Sequence, residues 1–387
     1  MSTGASSQHK MPDRSHTRDY RLLLASGLAW GATSSQVTIL AAVFRAHQLP
    51  LPLIGWIFTV YAIGLVGAAV LSGPLMGRFG AKSTMLVGFA VSIGSLLAMP
   101  LSGFAPAPLL VLSLSRGLGG GLINPSGTLL AQASVLDNER AHAIAMYSLM
   151  LLLPTFAGPT IGMWSLGHYG DVGFFALAAV PALLAMLLNL ALAPSSRAPA
   201  EVAGYLALLR DRRIWLPCLA MMISGVGYGF ASGFVVLVVG QVAWFWMPFA
   251  VVLCLIRWQG LKRLGQLAPQ LVIISGLVAY IAGFLGLLGG LALVAGFGFA
   301  YGYGVVGPTA NVWASAPYPQ AARARPIALV ALSYQLGTML TAQLVGFVVP
   351  LVGWPGLLLT LAALSLPPLL LCLRRIGPVT ETRYRPL

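Results

Sequence analysis

Runs of about 20 apolar residues follow one another from Leu22 to Leu373, each long enough to cross a ~30 Å hydrocarbon layer as a helix. No other feature constrains the fold as strongly. Polar breaks between the runs are short, and 8% of the residues carry charge, against roughly 25% in a water-soluble domain. A soluble globule made from this chain would lack a polar surface. Transmembrane β-strands would instead show ~10-residue alternating segments. The expected class is an all-α polytopic membrane protein.

Twelve spans can be drawn, at roughly 22–44, 52–75, 83–101, 107–130, 143–166, 172–192, 214–239, 241–261, 269–287, 290–313, 326–349 and 353–373. The first is too long for a signal-peptide core and lacks a convincing cleavage site, so it is read as a retained helix. The longest polar break after the N-terminal tail, "APSSRAPAEVAGYLALLRDRR", separates the sixth span from the seventh. The expected organisation is a tail over 1–21, a six-helix bundle over 22–192, a linker over 193–213, a second bundle over 214–373 and a tail over 374–387. Cys218, Cys254 and Cys372 all lie in apolar runs and read as small buried hydrophobes, not as a disulfide or metal set.

Charge tests the count. Lys and Arg collect in short cytoplasmic loops, and with the N-terminus inside, the even-numbered connections and both tails are cytoplasmic. Twenty of the twenty-two basic residues then lie at or near one side, Arg257 just inside that end of span 8; Arg45 and Arg116 are the exceptions. The net charge of +14 is thereby assigned to topology and to an anionic inner leaflet, and no nucleic-acid partner is called for.

The two halves repeat each other. "DYRLLL" from Asp19 returns as "DRRIWL" from Asp211, "GRFG" from Gly77 as "KRLG" from Lys262, "GGGLINPS" from Gly119 as "GYGVVGPT" from Gly302, and "RAHAIA" from Arg140 as "RARPIA" from Arg323. The offsets are 192, 185, 183 and 183, so the matches keep their order. Two six-helix repeats of the same orientation are the sequence trace of a transporter whose halves rock about a central site.

From about Tyr20 to Arg375 the chain resembles the major facilitator superfamily, in particular its 12-helix efflux branch. The loop after the second helix, usually G-x-x-x-D-R-x-G-R-R/K, reads "GPLMGRFGAK" and keeps Gly73, Arg78, Gly80 and Lys82, with Gly77 where the Asp stands and Ala81 at the first closing basic position. In that family the Asp and Arg latch one state of the cycle; without the Asp, Arg78 is left to contact helix-end carbonyls. The helix 4 pattern of an Arg before a Gly-rich run matches Arg116 with Gly119, Gly120 and Gly121. The helix 5 exporter motif G-x-x-x-G-P-x-x-G-G is kept in part by "PTFAGPTIGM", with Gly158, Pro159 and Gly162. The resemblance implies a gating or conformational role for Gly73, Arg78, Gly80, Lys82, Gly158, Pro159, Gly162 and, in the second half, Arg263.

Arg116 lies eight residues into helix 4 from Pro108, about 12 Å below the boundary at 1.5 Å per residue. A guanidinium there must face protein or a watery cavity. Lining the cavity is the functional reading; snorkelling outward or fastening helix 4 to a neighbour is the bland one. The glycines allow close helix approach, and Pro159 permits a kink. Close packing alone accounts for them; rolling surfaces between the halves are the sharper reading.

None of the eight carboxylates, Asp13, Asp19, Asp137, Glu139, Asp171, Glu201, Asp211 and Glu381, falls inside a span. The proton relays and cation sites of transporters usually use intramembrane Asp, Glu or His, so binding a cationic drug through a buried carboxylate is excluded by inventory. Helices 1, 4, 7 and 10, central by the resemblance, offer Trp30, Gln36, Asn124, Tyr228, Tyr301, Tyr303 and Asn311 to join Arg116 in binding or coupling, and helix 11 adds Tyr334. The expected function is secondary active transport by alternating access, favouring efflux of a small neutral, zwitterionic or anionic compound, with proton coupling left open. An importer or facilitator of a small organic acid or chelate is the alternative, and an intramembrane enzyme the remote one. The bilayer and the small-molecule substrate are the expected partners, for a monomer without cofactor or metal in the cell membrane, both termini cytoplasmic.

Overall fold

A computed structural model describes residues 14–135, 140–193, 211–257, 267–318 and 324–374. Helix α1 is Arg14–Gln36, carried on by a tighter turn at Val37–Ile39 and by Leu40–Ala46; α2 is Leu51–Phe79, α3 Ala81–Leu101 and α4 Pro106–Ala133. Helix α5 starts as Arg140–Leu152, tightens at Leu153–Phe156 and enters the continuous helix Gly158–Leu190. Gly170 divides that helix, so that 158–169 completes α5 and 171–190 is α6. In the second half α7 is Arg212–Gly233 with a turn at Val235–Leu237, α8 Ala243–Leu255, α9 Pro269–Leu288 and α10 Ala292–Ser315. Gly353 divides Ala324–Leu364; 324–352 is α11, while 354–364 and Leu366–Arg374 form α12.

The divisions at Gly170 and Gly353 make twelve segments of the described residues, as the apolar runs predict. Both glycines combine a positive φ with an extended ψ (63° and −166°; 70° and −178°), a region essentially closed to side-chain-bearing residues. Chain direction confirms the first as a reversal. Helix α5 runs parallel to α1, Gly158 meeting Ser35 and Gly162 meeting Gln36. Helix α6 runs antiparallel to it: Thr33 Oγ1 donates to the Ala178 carbonyl at 2.7 Å and Ser26 Oγ to that of Ala185 at 3.4 Å. Gly170 and Gly353 are 183 residues apart, the offset of the sequence repeats on either side.

Small residues set the helix spacing within each half. A methyl group on Gly31 would strike the Leu151 carbonyl, and one on Gly225 that of Tyr334; Leu151 and Tyr334 are again 183 apart. Helices α1 and α5 thus meet as α7 and α11 do. Without a hydrophobic drive between helices in lipid, this backbone proximity is what holds them.

The halves join at the end away from the N-terminus. There Gln343 Nε2 on α11 donates to Thr59 Oγ1 on α2 at 2.5 Å, Gly346 packs on Pro52, and the rings of Phe58 and Phe234 lie 4.9 Å apart. One apolar cluster runs from the second half into this end of the first, through Phe44, Phe174, Phe230 and Phe299. The other end of the first half has its own cluster around Met85, Phe89, Ile123 and Tyr147. The space between the halves is therefore closed at one end and walled by separate bundles towards the other, the end that carries Arg78, Lys82 and Asp211.

Candidate functional site

The cavity between the halves measures about 450 Å³ and takes residues from both, within the size range of small-molecule sites. From the first half, Trp30, Thr38, Phe58, Tyr61, Arg116 and Asn124 line it; from the second, Tyr228, Arg257, Tyr303, Tyr334, Gln335 and Thr338 do. Asn124 is exposed and lies eight residues beyond Arg116 along α4, away from the closed end, so the cavity opens towards the basic end.

Arg116 holds its guanidinium carbon 4.4 Å from the centroid of the Tyr61 ring. That contact offsets part of the ~2.5–3.5 kcal/mol that a central cation costs on insertion scales. Its Nη1 is a buried atom without a hydrogen-bond partner. The second half adds an aromatic wall. Tyr228 stacks on Tyr303 with centroids 4.7 Å apart and planes at 23°, and Tyr334 stands 6.1 and 6.3 Å from the two. This offset geometry is the favourable one for aromatic quadrupoles.

Position along the sequence hid one contributor. Arg257 follows α8 and reads from the sequence as a charge just inside the basic end of span 8, yet its side chain lines the cavity. Its Nε, too, is buried without a partner, and it is near enough to Tyr303 to interact electrostatically. Arg116 is therefore not the lone deep cation. The signal was present in "VVLCLIRWQG", where Arg257 directly follows an apolar run. Among the described residues, no carboxylate lines the cavity.

Trp30, Asn124, Tyr228, Tyr303 and Tyr334 line the same cavity as Arg116; Gln36, Tyr301 and Asn311 are not among the lining residues. Gln36 is buried in α1 with its Oε1 unpartnered. The Tyr301 hydroxyl is 3.1 Å from Ser275 Oγ, between α10 and α9. Asn311 is half-buried near the end of α10 with its Oδ1 unpartnered. A helix carries its polar groups on every face, and a sequence does not say which face the neighbours leave open.

Of the residues expected to act in gating, Lys82, Gly158 and Gly162 make contacts within their own half. Gly80 caps α2 at φ 85°, where glycine is favoured, and Gly73 has open space around it. Lys82, not Arg78, reaches helix-end carbonyls: its Nζ donates to Leu190 at 2.9 Å and to Leu192. Arg78 lies over its neighbour Phe79 at 5.3 Å. Gly158 and Gly162 pack α5 on α1, and Gly117, Gly119 and Gly121 pack α4 on α2 and α3, as the close-packing reading expects. The break in α5 is at Leu153–Phe156, where it meets α8 of the other half; Pro159 sits in the first turn of the helix that follows, where a missing N–H costs nothing. Arg263, most of the linker 193–213 and most of both tails lie outside the described residues.

A sequence profile described as the Major Facilitator Superfamily matches residues 22–256. The chain is 30% identical over 194 residues to the tetracenomycin C resistance and export protein of Streptomyces glaucescens, covering 48% of this chain and 36% of that protein. It is 27% identical over 241 residues to a multidrug resistance protein B homolog of Mycobacterium tuberculosis, covering 59% and 42%. The chain thus spans less than half the length of these curated relatives. A crystal structure of the nucleoside transporter NupG superposes with a TM-score of 0.74 over 93% of this chain and 100% of the other, at 15% identity, a likeness of fold. With the profile matched across more than half its length and the paired six-helix architecture in place, this chain belongs to the major facilitator superfamily.

Proposed function

We propose that the protein is a secondary active transporter that exports a small neutral, zwitterionic or anionic organic compound by alternating access. The observation that carries this reading is the central cavity: closed at one end, walled by both halves, and holding deep guanidiniums without a carboxylate among its described lining residues. Rocking of the halves about such a site would expose it to each side in turn. With the basic end cytoplasmic, both termini lie in the cytoplasm and the cavity faces inward, ready to load an export substrate. The names of the two curated relatives support this direction. The protein acts as a monomer in the cell membrane.

Proton coupling, if used, has no deep carboxylate to work through and falls to the substrate's own titratable group or to groups at the cavity ends. The cations also favour a second reading, import or facilitation of a small organic acid. Counterflow in proteoliposomes of known orientation separates the two. Export predicts substrate accumulation driven by an imposed proton gradient; flux that persists undiminished without any gradient supports facilitation. Absence of flux for every compound that thermally stabilises the purified protein overturns the transport reading.

A further inference from the structure

Two cations of the cavity come from opposite halves, Arg116 from α4 and Arg257 from the end of α8. Each presents a buried nitrogen with no hydrogen-bond partner, Nη1 and Nε respectively, and among the described residues no carboxylate lines the cavity. Buried polar atoms of native proteins are nearly always satisfied, and a buried guanidinium is usually paired. The same cavity has an aromatic wall, the stacked pair Tyr228 and Tyr303 with Tyr334 at its side. The unmet demands are thus for negative charge with planar acceptor geometry, and for a ring face.

We infer that the cavity is built for an aromatic organic anion of the carboxylate or phenolate class, whose charged group bridges Arg116 and Arg257 while its ring packs on the Tyr228–Tyr303–Tyr334 wall. This rests on the transport reading and narrows its substrate class. A carboxylate offers two coplanar oxygens that match the guanidinium fork. A neutral isostere leaves both cations unmet, and a cationic one adds repulsion. Because the cations belong to different halves, the anion also draws the halves together around itself.

The test uses the full chain, purified in detergent, with aromatic carboxylates of one to three rings, each beside its neutral primary amide and its aminomethyl cation. Binding is read by calorimetry at a pH where the acids are ionised. At least one carboxylate should bind tenfold or more tightly than its amide, and the cations should bind weakest. Arg116→Gln and Arg257→Gln should each erase that preference, with an unchanged helical circular dichroism spectrum and gel-filtration profile showing that the variants are folded; Arg257→Lys should restore part of it. A nitrophenol adds a readout on unaltered protein: its yellow anion should appear at lower pH when bound. Equal or tighter binding of amides or cations, no binding by any carboxylate, or an unshifted nitrophenol overturns the inference. Flux of neutral or cationic probes without anion preference would sink it while sparing the transport reading. Anion binding with no flux of any probe would do the reverse.

Discussion

The two walls of the cavity occupy equivalent places in the repeat and carry different chemistry. At the 183-residue offset Arg116 corresponds to Phe299 and Gly120 to Tyr303. Arg116 faces the cavity above Tyr61; Phe299 is fully buried, edge-on to Phe284 at 4.8 Å and to Tyr280 at 5.8 Å. Where Gly120 lies near the Tyr61 hydroxyl, Tyr303 fills its position with a ring stacked on Tyr228. The scaffold behaves otherwise. Gly119 and Gly302, Gly121 and Gly304, Gly170 and Gly353 coincide across the repeat. Duplication has kept glycine at these places, although Gly119 and Gly121 meet backbone carbonyls where Gly302 and Gly304 meet the side chains of Tyr280 and Ile256, while the two lining positions, 116/299 and 120/303, have diverged in chemistry.

The sharpest way to break this contrast is to remove the charge. Arg116→Ala should lower flux in proteoliposomes by ~10²-fold or more, as loss of a buried charged contact costs about 2–5 kcal/mol. Arg116→Lys should restore little, because an ammonium lacks the planar fork. Normal transport by the Ala variant would remove Arg116 from the site. The equivalent change on the other side, Phe299→Ala, should act on the fold instead, with a loss of about 3–5 kcal/mol and a clear fall in melting temperature. If it abolished transport at unchanged stability, the division between lining and core would fail.

A smaller effect tests the shared scaffold. Gly170→Ala and Gly353→Ala should each destabilise by about 1–3 kcal/mol, because alanine is strained at the φ and ψ found there. Markedly unequal melting shifts would argue that the two reversals are not equivalent. On the aromatic wall, Tyr228→Ala should weaken binding of an aromatic ligand by about 0.5–1.5 kcal/mol, a few-fold in affinity, and Tyr301→Ala should change it far less.

The smallest expected effect concerns Asp19 and Asp211, which the repeat aligns. Asp19 accepts from the Ala193 backbone N–H at 3.2 Å. Asp211 accepts from the Tyr318 hydroxyl and from the Arg213 N–H at 2.9 Å, and these two donors, Tyr318 foremost, hold its carboxyl below the ordinary carboxylate range. A carboxylate so depressed stabilises the fold above its unfolded-state pKa, and this contribution is lost as pH falls through the folded value. Tyr318→Phe should therefore flatten the acid-side decline of the melting temperature slightly, and a change at Asp19 should leave the Tyr318-dependent part untouched. An unchanged acid limb would show that the Tyr318 contact does not matter in solution.

Much of this architecture is legible without coordinates. The apolar runs place the twelve segments, and "GGGLINPS" against "GYGVVGPT" announces the duplication. The cavity is legible only in part. Trp30, Asn124, Tyr228, Tyr303 and Tyr334 line it as expected, whereas Gln36, Tyr301 and Asn311 do not. In a soluble helix the apolar stripe marks the inward face. In a membrane helix lipid and core are equally apolar, so that periodicity fades, and polar residues are shared among cavity, packing and ends.

What the sequence determined by itself is therefore what depends on length and inventory: helices long enough to span, an end rich in Lys and Arg, a repeated scaffold, and spans without Asp or Glu. Tertiary structure decided what depends on which helix faces meet. It turned Arg257 from a loop-end charge into part of the cavity wall, gave the helix-end carbonyls to Lys82 instead of Arg78, and closed one end of the cavity through α2 and α11. The physical reason is that burial in a bilayer is enforced by solvent along the chain, whereas orientation is enforced by neighbours, and neighbours far apart in sequence are chosen only when the helices pack.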